Sequence, residues 1–223
     1  MDTGDKHQSV GAFFDLDMTI TSHDTFRCFL KEHYVHDFRN WPFIPQMLFW
    51  ALMRKLRLIS LLTFKEKSLV FLKGRSDEEV RQLGYAFFHQ YLLKIIRPKA
   101  LERIRRHKEA GHSIYLATSC PNIFIQTIAE YFKFNGYICT NLEYSNRRFT
   151  GRSEGGDCFG QEKASRIKAL AVTDRLTLAD SYAYSDHESD LPMLETVGVP
   201  VAVTPTPTLQ RIAAENGWGI ENW

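Results

Sequence analysis

Short apolar runs of strand length alternate along the chain with stretches whose apolar residues recur every three or four positions. The runs read as strands at 10–15, 113–118, 137–140, 182–184 and 200–203. The first four are mostly apolar on both faces, as strands buried between two layers should be. Helical spacing fills the gaps. Pro98 opens a helix carrying Leu101 and Ile104, which Gly111 ends, and Pro121 opens one carrying Ile125, Ile128 and Phe132. A third helix holds Ala164, Ile167, Leu170 and Ala171; a last one, with Leu209, Ile212 and Ala213, is closed by Asn216-Gly217. This alternation predicts an α/β fold, a parallel sheet covered by helices.

One connection breaks the rhythm. Nearly a hundred residues separate the first strand from the second, far more than an ordinary strand-to-helix link needs. Residues from about 24 to 92 read as mainly helical, which predicts a discontinuous core (1–22 and 93–223) carrying an inserted helical domain (23–92). Within the insertion, residues 41–64 form the most hydrophobic stretch of the protein. Its longest unbroken apolar run is 47–53, after which Arg54, Lys55 and Arg57 interrupt, so it is too short and too charged to span a membrane. It reads as the core helix of the insertion; the alternative is an amphipathic segment resting on a membrane surface.

The chain has 223 residues, 44% hydrophobic and 24% charged, ordinary values for a globular protein of one medium domain or a core plus an insertion. A net charge of +2 gives no reason to expect a nucleic-acid binder. The charge is uneven, however. Residues 21–92 hold 11 Lys+Arg against 7 Asp+Glu, and the remainder holds 17 against 19. A basic insertion over an acidic core suits an anionic substrate, and a solvated basic face would account for the numbers equally well. Cys28, Cys120, Cys139 and Cys158 make no C-x-x-C pair and no zinc-type spacing. With a polar N-terminus, they point to a reducing cytoplasm.

The candidate chemistry gathers where strands end. The first strand runs into Asp15, Leu16, Asp17, Met18 and Thr19. Two carboxylates this close repel unless a cation or a shared proton offsets them. An aspartate nucleophile beside an aspartate acid/base is also what a phosphoaspartyl mechanism requires. The second strand ends in Thr118 and Ser119, hydroxyls which, with free N–H groups of a following helix, make a phosphate-oxygen site; Thr118 is the first choice, and a plain helix cap is the alternative. Lys163 falls at a helix start, where the macrodipole gains nothing from a cation, so an anionic partner explains it better. Asp186 follows a fourth strand as a natural further oxygen donor to a hard cation. Asp190, four residues on, either orients a metal-bound water, holds Lys163, or is simply a helix-start acid. All four elements are expected at carboxyl ends of strands, where one crevice would collect them.

DLDMT, LATS, Lys163 and SDHESD, taken in order with the helical insertion and the stretch RRFTGRS, resemble the haloacid dehalogenase superfamily over the whole chain. The similarity is to subfamily IB, the branch that includes phosphoserine phosphatase. It implies a Rossmann-like three-layer core with an inserted helical cap, and a phosphatase acting on a small phosphorylated metabolite. In such an enzyme Asp15 attacks phosphorus to form an aspartyl-phosphate, and Asp17 protonates the leaving alkoxide and later deprotonates the attacking water. Mg²⁺ is held by Asp15, the backbone carbonyl of Asp17, and Asp186, with Asp190 behind them. Thr118 and Lys163 take the phosphoryl oxygens, with Ser119 as the second choice of hydroxyl. Replacing Asp15 by Asn is expected to abolish turnover. Ser185 stands where many relatives have glycine, and LATSC replaces the glycine-rich loop of phosphoserine phosphatase, which argues against phosphoserine specifically. Asp24 resembles a substrate-contacting acid of that enzyme; a helix cap is the equal alternative. Two other readings remain: a membrane-associated lipid phosphatase resembling phosphatidylglycerophosphatase C, with peripheral membrane contact through the cap, and a catalytically idle module binding a phosphate ligand or a partner.

Overall fold

A computed structural model describes residues 9–223. Strand β1 (Gly11–Phe14) is buried along its whole length, with Phe13 and Phe14 on opposite faces in two separate apolar clusters. Helices α1 (Thr25–Val35), α2 (Ile44–Lys55), α3 (Leu61–Ser68) and α4 (Asp77–Gln90) follow before the chain returns to the sheet. Then come α5 (Pro98–Glu109), β2 (Ser113–Pro121), α6 (Ile125–Tyr131), β3 (Gly136–Ser145), β4 (Arg148–Glu154) and α7 (Gln161–Thr173). The chain ends with β5 (Tyr182–Ser185), the single-turn α8 (Leu191–Leu194), β6 (Val199–Val203), α9 (Pro207–Glu215) and β7 (Gly219–Glu221).

Among the described residues these strands form one sheet in the order β4-β3-β2-β1-β5-β6-β7, parallel throughout except for β4. Phe14, Leu116 and Tyr184 face a cluster that also contains Phe29, Phe87 and Ile104. Phe13, Tyr115, Ala183 and Ala202 face Ile167, Met193, Leu194 and Leu209 of α7, α8 and α9. The result is the three-layer α/β arrangement expected from the pattern, with β1 at the centre. None of the helices among the described residues is long and apolar enough to cross a membrane. The four cysteines are all free thiols.

Both ends of the helical insertion are tied together at one place. Ser22 N–H donates to the Ile95 carbonyl and Arg97 N–H to the Ile20 carbonyl, each at 2.8 Å. Further contacts come from Gly74 N–H to the Phe149 carbonyl and Phe149 N–H to the Arg75 carbonyl, so β4 holds the insertion from the side. Gly84 lets α4 lie directly on the 123–124 turn, since a Cβ there would come within 1.9 Å of the Ile123 carbonyl oxygen.

Four expectations need correcting. Pro121 does not open a helix; it is the last residue of β2, and α6 starts at Ile125. Asn122 N–H bonds to the Thr140 carbonyl and its Oδ1 accepts from Leu142 N–H, so β3 claims the groups that would have begun a helical turn. The third predicted strand is longer, reaching Ser145, and folds back as β4 through Asn146 and Arg147, both at positive φ. The sequence RFTGRSE hides that strand because an edge strand can be largely polar. Because β4 runs antiparallel, Lys163 lies at a helix start beyond a hairpin and not at the carboxyl end of a parallel strand. Finally, the 41–64 segment is not a core helix. No residue of α2 is fully buried: Ile44 and Met47 pack on the interior while Leu48, Phe49 and Leu52 stand exposed.

Candidate active site

After β1 the chain makes one wide turn. Thr21 N–H reaches back five residues to the Leu16 carbonyl (2.9 Å), and the Thr21 hydroxyl donates to the same oxygen (3.0 Å). Met18 takes φ 57° inside this turn, a left-handed conformation that costs energy in a residue with a side chain. The turn points Asp15, Asp17 and Met18 into one cavity of about 180 Å³, together with Asp24, Ser119, Phe159, Lys163, Asp186, His187, Ser189 and Asp190. The crevice therefore forms at the carboxyl ends of β1, β2 and β5, as open α/β sheets favour. A larger cleft of about 300 Å³ between α5 and β7 is lined by Arg103, Arg106, Glu102 and Glu221, whose charges pair with one another.

Lys163 is the pivot of the cavity. It is 2% exposed, and its Nζ donates to Asp15 Oδ1 at 2.9 Å and lies 2.7 and 2.9 Å from the two oxygens of Asp190. Gly160, at φ 55°, turns the chain into α7 and sets Lys163 in its first turn. Burial opposes the ammonium charge, but Asp15 and Asp190 outweigh it and hold Lys163 protonated well above the ordinary lysine range. Asp190 is fixed on its other side by the Ser185 hydroxyl, which donates to Oδ2 at 2.7 Å. The buried Ser185 hydroxyl thus has a partner.

Three of these carboxyl groups, Asp15, Asp17 and Asp186, resist ionisation. Burial pushes Asp15 up, Lys163 pulls it back, and Asp190, Asp17 and Asp186 push it up again. Asp17 rises to about 6, first through burial and then through Asp24, against the hydrogen bonds from Thr25. Asp186 is also raised to about 6, mainly by burial. Five carboxylates line this space against one lysine. Among the described residues no three His, Cys, Asp or Glu side chains cluster as a ready metal-ligand set.

The remaining predicted residues divide. Ser119 lines the cavity, whereas Thr118 is 1% exposed and its hydroxyl oxygen accepts from Cys120 N–H at 3.1 Å. A register shift in β2 between Ala117 and Pro121 swings this segment toward the site. Asp24 caps α1 by accepting from Arg27 N–H (2.8 Å), and it also lines the cavity. His187 lines the cavity with Nδ1 accepting from Ser189 N–H, while Glu188 accepts from the Thr206 hydroxyl.

Two features were not anticipated from sequence. Thr25 grips Asp17 Oδ1 twice, through its N–H at 2.7 Å and its hydroxyl at 2.5 Å. The adjacent Asp24-Thr25 pair at a helix start was the available signal. Lys65 of α3, almost fully buried, donates to the Ser119 carbonyl (2.6 Å) and to Asp157 (2.7 Å), which also accepts from the Thr140 hydroxyl. The sequence offered no hint that a lysine 54 positions before Ser119 would meet it.

Residues 12–195 match the family model for haloacid dehalogenase-like hydrolases. A phosphoserine phosphatase of Mycobacterium tuberculosis is 30% identical over 219 residues, covering 96% of this chain and 71% of that protein. A histidinol-phosphatase of Neisseria meningitidis is 30% identical over 152 residues, 66% of this chain and 68% of that one. The crystal structure of a Bordetella pertussis protein of unknown function superposes with a TM-score of 0.84 at 26% identity, covering 96% of this chain and 98% of that one.

Proposed function

The chain belongs to the haloacid dehalogenase-like hydrolases and is a phosphatase, and we propose that it cleaves a small phosphomonoester through a phosphorylated Asp15. The observation that carries this reading is the buried Lys163, bonded at once to Asp15 and Asp190 in the cavity that Asp17 also lines.

In the first step an Asp15 oxygen attacks phosphorus, a P–O bond to aspartate forms, and the bond to the leaving alkoxide breaks. Asp17 gives its proton to that alkoxide. In the second step water attacks the acyl phosphate, Asp17 takes the proton, and phosphate leaves with Asp15 regenerated. A carboxyl group near 6 can serve in both directions at neutral pH. Thr25 holds Asp17 Oδ1, and Oδ2, whose partner is the Cys120 thiol at 3.7 Å, is the oxygen that would carry the proton. Lys163 and the 118–120 segment offset charge on the phosphoryl oxygens, the larger part of the work in phosphoryl transfer.

The donors suit a hard divalent cation. Asp15, Asp186 and the Asp17 carbonyl are all oxygen ligands, and the acidic excess of the cavity calls for positive charge. Mg²⁺, which commonly uses one or two carboxylates and keeps several waters, fits this set. Bound there, it would supply further neutralisation of the phosphoryl oxygens.

We take residues 23–92 as a cap over the site. The Lys65 bonds to Asp157 and to the Ser119 carbonyl tie this cap to the segment that meets phosphate. The lining also bears on the leaving group. Beyond Lys163, the cavity lining among the described residues has His187 but no arginine or second lysine to meet a substrate carboxylate, while Asp24 faces in. This favours a phosphomonoester of an amino alcohol without a carboxylate. Histidinol phosphate has that chemistry and phosphoserine does not.

Phosphate release from purified protein tests the reading, with histidinol phosphate, phosphoethanolamine, phosphoserine and sugar phosphates, each with Mg²⁺ and with EDTA. Mg²⁺-dependent turnover that favours the carboxylate-free amines is expected. Phosphoserine as the best substrate would refute the leaving-group reading. Silence on every phosphomonoester from folded protein would refute the proposed activity.

A further inference from the structure

The insertion carries a surface that the catalytic reading leaves unused. On α2 and its C-terminal flank, Pro45, Leu48, Phe49, Leu52 and Leu56 all stand exposed, Leu48 at 58% and Leu52 at 50%. Their spacing of three, one, three and four places them on one arc of about 100° of the helix. The opposite side, through Ile44 and Met47, is already packed against the interior. The arc is therefore a second apolar face, turned outward.

The charged side chains of the segment itself are all basic. From residue 38 to residue 65 the chain has no Asp or Glu, yet Arg54, Lys55 and Arg57 cluster where α2 ends. Arg57 adopts φ 59°, and Arg57 N–H and Leu58 N–H bond back to the Arg54 and Met53 carbonyls, so this basic turn is a closed, ordered helix terminus. An outward apolar stripe beside cations without a local acid is the pattern of a helix lying in a bilayer interface. A second copy of the chain is a poorer occupant. The same segment of a second copy has no acid between residues 38 and 65 to meet the basic turn, whereas an anionic surface supplies the opposite charge.

We propose that this face of α2 docks on an anionic membrane surface, with the apolar stripe at the acyl boundary and the basic turn against lipid phosphates. No helix among the described residues can cross a membrane, so the contact is peripheral. Each cation near a charged surface contributes about a fivefold gain in partition, weakening with salt.

Flotation of the full chain tests this, with vesicles of phosphatidylcholine alone and of phosphatidylcholine mixed with phosphatidylglycerol, at low and high salt. Binding should be at least tenfold stronger to the mixed vesicles and should fall with salt. Combined Leu48→Glu and Leu52→Glu should abolish it. Combined Arg54→Gln, Lys55→Gln and Arg57→Gln should cut it at least tenfold. Neither set touches the active site, so turnover of a soluble phosphomonoester and the circular-dichroism melt should stay near wild type, which shows that the variants fold. Three results would overturn the proposal: no flotation of folded wild type, equal binding to both vesicle types, or a solution dimer that the Leu48/Leu52 pair dissolves without vesicle binding.

Discussion

Replacing Lys163 by Met removes one ammonium and leaves the two buried carboxylates that it bridges, Asp15 at 2.9 Å and Asp190 at 2.7 Å. Breaking a buried pair in this way typically costs about 3–5 kcal/mol, because the surviving charge has lost its compensation. The cost should depend on pH in a definite direction. In the wild type, the Lys163 pKa is raised, so its contribution is complete below the ordinary lysine value and is lost only as pH rises through the folded value, far above neutrality. In the variant, Asp15, pushed up by burial and by the charge of Asp190, loses the opposing pull of Lys163 and takes up a proton that the unfolded chain does not bind. Stability relative to wild type then rises as pH falls, by about 1.4 kcal/mol per pH unit for one proton. Urea unfolding followed by tryptophan fluorescence, in EDTA at about pH 6 and about pH 8, measures both slopes. The variant should lose more at the higher pH, with the gap between the two losses exceeding about 1 kcal/mol. Equal losses at the two values, or a loss below about 1 kcal/mol at both, would refute the idea that Lys163 compensates Asp15 and Asp190.

Other consequences follow from neighbouring contacts. Thr25→Val keeps the N–H bond to Asp17 but deletes the 2.5 Å hydroxyl bond; a charged hydrogen bond of about 1.5–3 kcal/mol predicts a fall in kcat of roughly tenfold or more. Because that bond lowers the Asp17 pKa, the alkaline limb of the pH–rate profile should also move up, and Thr25→Ser should restore both. His107 is buried between Tyr184 and His112 (2.8 Å each), and burial first, then His112 and Arg103, depress its pKa to about 4. Its stabilising contribution is complete above about 6.5 and is lost as pH falls toward 4, worth about 2 kcal/mol after allowance for screening; His107→Gln should flatten that acid slope in thermal melts. Asp24→Asn should raise KM for an amine-bearing phosphomonoester more than it lowers kcat, and should leave KM for a sugar phosphate nearly unchanged.

How much of this was legible in the sequence follows from where each signal resides. The sandwiched strands announced themselves because burial on both faces leaves runs such as GAFF and IYLA, and the length of chain between the first two strands signalled the helices α1 to α4 that lie between them. β4 and β7 were missed, since edge strands can be short or polar and lack that signature. Asp15, Asp17, Ser119, Lys163, Asp186 and Asp190 were visible as candidates, and they meet in one cavity. Their supports were not visible. Ser185 on Asp190, Thr25 on Asp17 and Lys65 on Ser119 depend on tertiary placement, and nothing in a hydroxyl's or a lysine's local sequence says what it will face. The outward face of α2 was hidden for a different reason. An apolar helix reads alike whether one side or both sides are covered, and only the packing of Ile44 and Met47, with Leu48 and Leu52 left open, separates the two.

In the proposed mechanism Asp15 itself carries the phosphoryl group. Rapid acid quench of the enzyme during turnover of its best phosphomonoester, followed by peptide mass spectrometry, tests it directly. One added phosphoryl group should appear on Asp15, should increase in Asp17→Asn as hydrolysis slows, and should vanish in Asp15→Asn together with turnover. Substantial turnover by the Asp15→Asn protein, with no phosphopeptide at residue 15 in the wild type, would contradict the account.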